Sequence, residues 1–119
     1  MIDRVRLTAA AKNQLITIKK RTGIVHYNSI CRHAMCISLS ASSDLVVEKL
    51  SFSEGLEIDW SVLTGGNEEL YINIIKASLG KEDVSEELLK DMATAHIHRG
   101  LSYIFSRPDN ELFSSALLG

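Results

Sequence analysis

The sequence predicts a mainly helical protein that forms a single domain over residues 1–119. Apolar residues recur at helical spacing in four segments, and a threonine, asparagine or serine stands before each of them as a helix cap. One proline and seven glycines leave little room for linkers, and the apolar content of 45% is that of an ordinary globular domain. We therefore expect one small core built from helices.

A short alternating stretch opens the chain. Arg4-Val5-Arg6-Leu7 alternates polar and apolar side chains, which is typical of a strand. Four residues cannot form a sheet alone, so a strand here needs a partner. We expect that partner to be the same strand of a second copy, which makes the predicted protein oligomeric, a dimer or a tetramer.

The stretch after this strand has the pattern of a helix. Thr8 is its expected cap, and Gly23 is its expected end. Lys12 and Lys19 fall on one side of it, beside a stripe formed by Ala11, Leu15, Ile18 and Thr22.

A second helix is expected over residues 29–39, with Asn28 as its cap. Its inward face is either Ile30, Ala34 and Ile37 or Cys31, Met35 and Leu39.

The region 41–64 has no firm assignment beyond a loop that is rich in serine. Residues 45–47 are either a short strand or an extended arm, and residues 56–60 are either extended or one helical turn.

Two further helices follow. Asn67 is expected to cap a helix that runs to about Leu79, and Ser85 a longer one that runs from Glu86 to about Phe105. The apolar positions of the longer helix are Leu89, Met92, Ala93, Ile97, Leu101 and Ile104. Pro108 ends it, and a short terminal segment then carries Leu112, Phe113, Ala116 and Leu117.

Charge divides the chain into two parts. Residues 1–40 hold seven bases against one acid, Asp3, whereas residues 41–119 hold fourteen acids against six bases. A basic part on an acidic body is typical of a protein that meets a polyanion at one end. No apolar run is long enough to cross a membrane, and the N-terminus lacks the pattern of a secretory signal, so we expect a cytoplasmic protein without membrane contact.

The basic residues are candidates for contact with DNA, and each has an alternative role that involves no DNA. Arg4 and Arg6 share one face of the strand, which either meets DNA or is a solvated edge. Lysines and an arginine on the first helix either contact phosphates or form a solvated face; they are Lys12, Lys19, Lys20 and Arg21. Asn28 either begins a phosphate-binding helix end or only caps, and Arg32 either reaches the same phosphate or pairs with an acid of residues 41–119.

The cysteines and histidines do not predict a catalytic or metal site. Cys31 and Cys36 lie about 140° apart on a helix, so we expect free thiols that pack in the core. His96 and His98 lie about 200° apart and cannot share a metal from one helical face. We expect His96 to be buried and hydrogen-bonded, Arg99 to pair across an interface, and Gly100 to allow close approach of another helix.

Several sequence motifs of the chain resemble those of the DndE family. The matching residues are Arg4-Val5-Arg6-Leu7-Thr8, Leu15, Lys19-Lys20-Arg21-Thr22-Gly23, Asn28-x-x-Cys31-Arg32-x-Ala34-x-Cys36-x-Ser38-Leu39, Leu63-Thr64-Gly65 and His96-Ile97-His98-Arg99-Gly100. The order strand, helix, helix over residues 3–39 also resembles a ribbon-helix-helix module, in which the strands of two subunits pair.

The resemblance implies an oligomeric DNA-binding accessory of a bacterial DNA phosphorothioation system, with a preference for nicked duplex. It also implies partners that handle the sulfur: a cysteine desulfurase, an iron–sulfur protein and an ATPase. We expect a protein without cofactor or catalytic activity that holds the duplex backbone. The alternative is an interaction scaffold for the ATPase and the sulfur-transfer partners.

Overall fold

The computed structural model describes residues 2–112. The elements in chain order are β1 (Arg4–Leu7), α1 (Ala9–Thr22), α2 (Tyr27–Ser40), β2 (Leu56–Asp59), α3 (Trp60–Leu63), α4 (Glu68–Leu79), α5 (Glu86–Ser106) and a 3-10 turn, Asp109–Glu111. The mainly helical class is therefore as predicted. Phe113, Ala116 and Leu117 of the expected terminal segment lie outside the described residues.

The first strand finds its partner within its own chain. β1 pairs antiparallel with β2, with Arg4 opposite Asp59 and Leu7 opposite Leu56. Residues 56–59 thus supply a hydrogen-bonding partner within the chain, and pairing with a second copy stays a prediction. The strand-helix-helix order is present, but the two-stranded ribbon forms inside one chain.

Local sequence signals set the limits of three helices. The Thr8 hydroxyl accepts a hydrogen bond from the Ala11 amide at 3.1 Å, and Gly23 ends α1 with a φ of 73°. The Ser85 hydroxyl likewise caps α5, and Gly80 ends α4 in the left-handed conformation. These limits are as predicted.

The second helix begins before its expected cap. α2 starts at Tyr27, so Asn28 lies inside the first turn and is not the cap. Its side-chain amide donates instead to the Val62 carbonyl of α3 at 3.2 Å. His26 takes the cap position instead, and Asn28 ties the first turn of α2 to α3.

The core lies between α2 and α5. Both of the alternative inward faces of α2 are used, since Ile30, Cys31, Ala34, Met35 and Ile37 are all buried and Leu39 is partly buried. All six predicted apolar positions of α5 are buried as well.

Gly100 permits the close approach of the two helices. A Cβ atom at this position would collide with the Ala34 carbonyl of α2, so the predicted role of Gly100 is confirmed.

The region that had no assignment adopts several conformations. Residues 45–47 form neither a strand nor a helix, and Val46 is 71% exposed. For residues 56–60 both the extended form and the helical turn occur, one after the other, because strand β2 leads directly into the single turn α3. Trp60 at this junction is fully buried.

Candidate nucleic-acid interface

Four cations lie along α1 and in the first half of α2. Lys12 and Lys19 are seven residues apart and therefore lie on the same side of α1, while Lys20 is turned about 100° from Lys19. Arg32 lies on α2. Among residues 2–112, no carboxylate pairs with any of these four side chains, which we call the basic corner.

Lys19 connects the two helices of the basic corner. Its ammonium group lies 5.0 Å from the centre of the Tyr27 ring, at the first turn of α2. This cation–π contact holds the lysine against the beginning of the helix that carries Arg32. The N-terminal backbone amides of that helix lie in the same region, and they carry partial positive charge.

The Arg32 guanidinium lies beside the turn between α3 and α4. Gly65 in this turn has a φ of 63°, and a Cβ atom there would lie 2.8 Å from a terminal nitrogen of Arg32. The glycine thus leaves room for the guanidinium. The expected alternative of an ion pair between Arg32 and an acid of residues 41–119 is not seen within the described chain.

Arg21 does not belong to the basic corner. It lies about 200° from Lys19 around α1. Its Nε donates to Asp109 Oδ1 at 2.7 Å, and its terminal nitrogens donate to the carbonyls of Phe105 at 3.1 Å and Arg107 at 2.6 Å. Arg21 therefore ties α1 to the end of α5, and these donors are already occupied.

The two strand arginines share one carboxylate. Arg4 and Arg6 point to the exposed face of β1, as predicted. Arg4 contacts Glu57 at 3.1 Å and Arg6 contacts it at 3.3 Å, and all three side chains are about half exposed. Glu57 of β2 offsets part of their charge, so this face is less cationic than the sequence of residues 4–6 alone indicates.

A histidine of α5 holds the junction between β1 and α1. His98 Nε2 accepts a hydrogen bond from the Thr8 amide at 3.2 Å, and His98 Nδ1 lies 2.7 Å from the Thr94 carbonyl. The sequence did not predict this contact, because the two residues are 90 positions apart and no local pattern links them.

A second histidine belongs to a buried polar cluster. Ser38 Oγ lies 2.8 Å from His96 Nδ1, which confirms that His96 is buried and hydrogen-bonded. Burial, and after it the charge of Arg99, lowers the pKa of His96 to about 4. Its imidazole is therefore neutral at neutral pH.

Arg99 makes several hydrogen bonds within its own chain. Its guanidinium donates to the Ser38 hydroxyl and carbonyl, both at 2.7 Å, and to the carbonyls of Ser43 at 2.9 Å and Asp44 at 3.2 Å. The predicted pair across an interface stays a prediction. The loop after α2 wraps around Arg99 and supplies these acceptors.

The two cysteines differ in environment. Cys31 is buried, and burial raises the pKa of its thiol to about 12. Cys36 is exposed, so the prediction that both thiols pack in the core is wrong for Cys36. Neither forms a disulfide within the described residues.

The described part of the chain holds no group of three or more His, Cys, Asp or Glu side chains placed to bind a metal ion. None of its helices is long and apolar enough to cross a membrane.

These elements define a small helical protein with a strand-helix-helix N-terminal part and a basic corner on one side. A family model described as DNA sulphur modification protein DndE matches residues 4–111. The chain belongs to the DndE family, as its sequence motifs predict.

Solved structures of similar proteins support the same fold. The crystal structure of DndE from Escherichia coli B7A, involved in DNA phosphorothioation modification, superposes with a TM-score of 0.67 at 21% identity, over 86% of this chain and 97% of that one. A DndE mutant with glycine-to-lysine substitutions, also involved in DNA phosphorothioation, gives a TM-score of 0.68 at 19% identity with the same coverage. No curated protein sequence matches the chain.

Proposed function

We propose that this chain is a non-catalytic DNA-binding accessory of a DNA phosphorothioation system and that it contacts the phosphate backbone of intact or nicked duplex. Membership of the DndE family places it among DNA sulfur-modification proteins. The observation that carries the DNA contact is the basic corner, where Lys12, Lys19, Lys20 and Arg32 lie without a carboxylate partner among residues 2–112.

The proposed mechanism is charge neutralisation. Lysine and arginine that approach phosphates release condensed counterions, which makes binding independent of base sequence and dependent on salt. The first turn of α2 adds backbone amides that hold phosphate. Asn28 contributes by fixing α3 against this turn, and not by capping it.

The strand arginines have a secondary part in this proposal. Arg4 and Arg6 remain about half exposed, but each shares Glu57. They contact DNA only after they exchange that carboxylate for a phosphate oxygen. Arg21, which was predicted to contact DNA, instead connects α1 to the end of α5.

The proposal includes assembly into a homo-oligomer in the cytoplasm. α4 exposes Leu70 and Ile74, which are one turn apart and 55% and 38% exposed. An apolar stripe of this kind on a helix is typical of a surface that another protein chain covers. Several basic corners on one assembly would multiply modest phosphate contacts through avidity.

A double substitution tests the DNA contact. Lys19→Ala with Lys20→Ala removes two charges of the basic corner, and Lys81→Ala with Lys90→Ala removes two exposed charges elsewhere and serves as the matched control. By fluorescence anisotropy with labelled duplex, we expect the first variant to bind about tenfold more weakly and the control to match the native protein. Equal affinity of both variants would reject the basic corner as the contact.

The stripe on α4 also favours a second candidate function, an interaction scaffold for the ATPase and sulfur-transfer proteins of the system. A scaffold would retain its partners in the Lys19→Ala, Lys20→Ala variant and lose them when Leu70 and Ile74 become serine. Co-purification of the partners with each variant separates the two functions.

A further inference from the structure

The hydrogen bonds of His98 fix its protonation state. Its Nδ1 faces the Thr94 carbonyl, which only accepts, so Nδ1 carries the proton. Its Nε2 faces the Thr8 amide, which only donates, so Nε2 carries the lone pair. The neutral imidazole with its proton on Nδ1 is therefore the form that makes both bonds.

Thr8 joins the two elements that carry the N-terminal cations. Its hydroxyl accepts from the Ala11 amide at 3.1 Å, and its carbonyl accepts from the Lys12 amide at 2.9 Å. Its own amide goes to His98. This one residue thus connects α5 to the first turn of the helix that bears Lys12, Lys19 and Lys20.

An aromatic ring continues the contact to β1. The centre of the Phe52 ring lies 6.5 Å from that of His98, and the Arg6 guanidinium lies 5.3 Å from the Phe52 ring. The charged residues around the groove that contains Phe52 are Arg6, Glu48, Lys49, Glu87, Lys90 and Asp91. Within residues 2–112 none of them forms an ion pair with His98, so a proton on the imidazole would have no such partner. Burial lowers the pKa of His98, which agrees with a neutral ring.

We propose that His98 is a positioning residue of the DNA-binding surface: its neutral ring holds the Thr8 amide, and protonation of Nε2 releases that amide and weakens duplex binding. A protonated Nε2 would place two hydrogen-bond donors face to face, which opens the junction between β1 and α1. The effect on DNA rests on the proposed function, whereas the effect on the junction does not.

The junction is tested without DNA. Nitrogen-15 NMR of the native protein reports the tautomer of His98, and hydrogen exchange reports the protection of the Thr8 amide. We expect the Nδ1–H tautomer and a protected Thr8 amide at neutral pH, with protection lost as His98 takes up a proton. An Nε2–H tautomer, or a Thr8 amide that exchanges freely at neutral pH, would overturn the proposal.

The effect on DNA is tested with His98→Gln and His98→Leu. Glutamine offers a donor group and an acceptor group but does not titrate, whereas leucine offers neither. At about pH 7.5 and constant ionic strength, we expect His98→Gln to bind duplex like the native protein and His98→Leu to bind about fivefold more weakly. Burial lowers the pKa of His98. As the pH falls through that lowered pKa, the native protein should lose affinity, to about fivefold weaker than His98→Gln once the ring is protonated.

The outcomes separate the two proposals. Equal binding by the native protein and His98→Gln at a pH where the NMR spectrum shows His98 protonated would reject the positioning role. Absence of duplex binding by the native protein at every pH would reject the proposed function, and the NMR result on Thr8 would stand on its own.

Discussion

Arg21 Nε lies 2.7 Å from Asp109 Oδ1, which joins the end of the first helix to the segment that follows the last one. The same guanidinium donates to the carbonyls of Phe105 and Arg107 at the C-terminal end of α5. A basic residue at this end of a helix satisfies carbonyls that have no partner within the helix. Arg21 is therefore a structural residue within a basic sequence run.

Replacing Arg21 tests this role. We expect Arg21→Ala to lower the free energy of unfolding by about 2 kcal/mol, because several charge-assisted hydrogen bonds are lost together. Arg21→Lys keeps the charge but not the fork of donors, and it should recover only part of the loss. Urea denaturation gives both values. A full recovery by lysine would show that charge alone matters.

Gly100 is expected to tolerate no side chain. Gly100→Ala places a methyl group against the Ala34 carbonyl, so α2 and α5 must separate, at a cost of about 1–3 kcal/mol. Ser102→Ala on the exposed side of α5 is the matched control and should leave the melting temperature nearly unchanged. Equal melting temperatures for the two variants would contradict the close approach of the helices.

The buried His96 makes the fold sensitive to acid. Its pKa lies at about 4 in the folded protein, below the ordinary value of 6.5, because burial and Arg99 disfavour the charged ring. The unfolded chain therefore binds the proton more readily. Stability is full above about pH 6.5 and falls as the pH approaches 4, by up to about 3 kcal/mol from this residue.

Denaturation at several pH values measures this dependence. His96→Gln removes the titrating group, so its stability should depend less on pH over the same range than that of the native protein. A free energy of unfolding that increases as the pH is lowered from 6.5 to 4 would contradict the lowered pKa of His96.

The two thiols should react at different rates. Cys36 is exposed, whereas Cys31 is buried with a pKa of about 12, and only the thiolate attacks disulfide reagents. A colorimetric disulfide reagent should modify one thiol per chain in the folded protein and both after denaturation. Cys36→Ser should abolish the fast reaction; a fast reaction that persists would place the reactive thiol at Cys31.

Local features were predictable from the sequence, and distant partnerships were not. Thr8, Gly23, Gly80 and Ser85 act within one turn of their own helices, so their residue types mark the helix ends. The apolar spacing of α5 likewise gives its buried face.

The partners of polar residues lie far along the chain. Asp109 is 88 positions from Arg21, and Glu57 is 53 positions from Arg4. The residues next to either arginine in the sequence give no sign of these acidic partners. The basic residues therefore appear equally available in the sequence, although some of them are paired with acids in the fold. The cap of α2 was also mispredicted, because the helix begins at Tyr27, one residue before Asn28. The Asn28 side chain bonds Val62, which is 34 positions away.

The salt dependence of duplex binding tests the central claim most directly. The logarithm of the association constant should fall linearly with the logarithm of the salt concentration, and Lys19→Ala with Lys20→Ala should reduce that slope by about 2. Lys81→Ala with Lys90→Ala should leave the slope unchanged. Binding by the native protein that does not respond to salt, or a slope that the Lys19 and Lys20 substitutions leave intact, would contradict a phosphate contact at the basic corner.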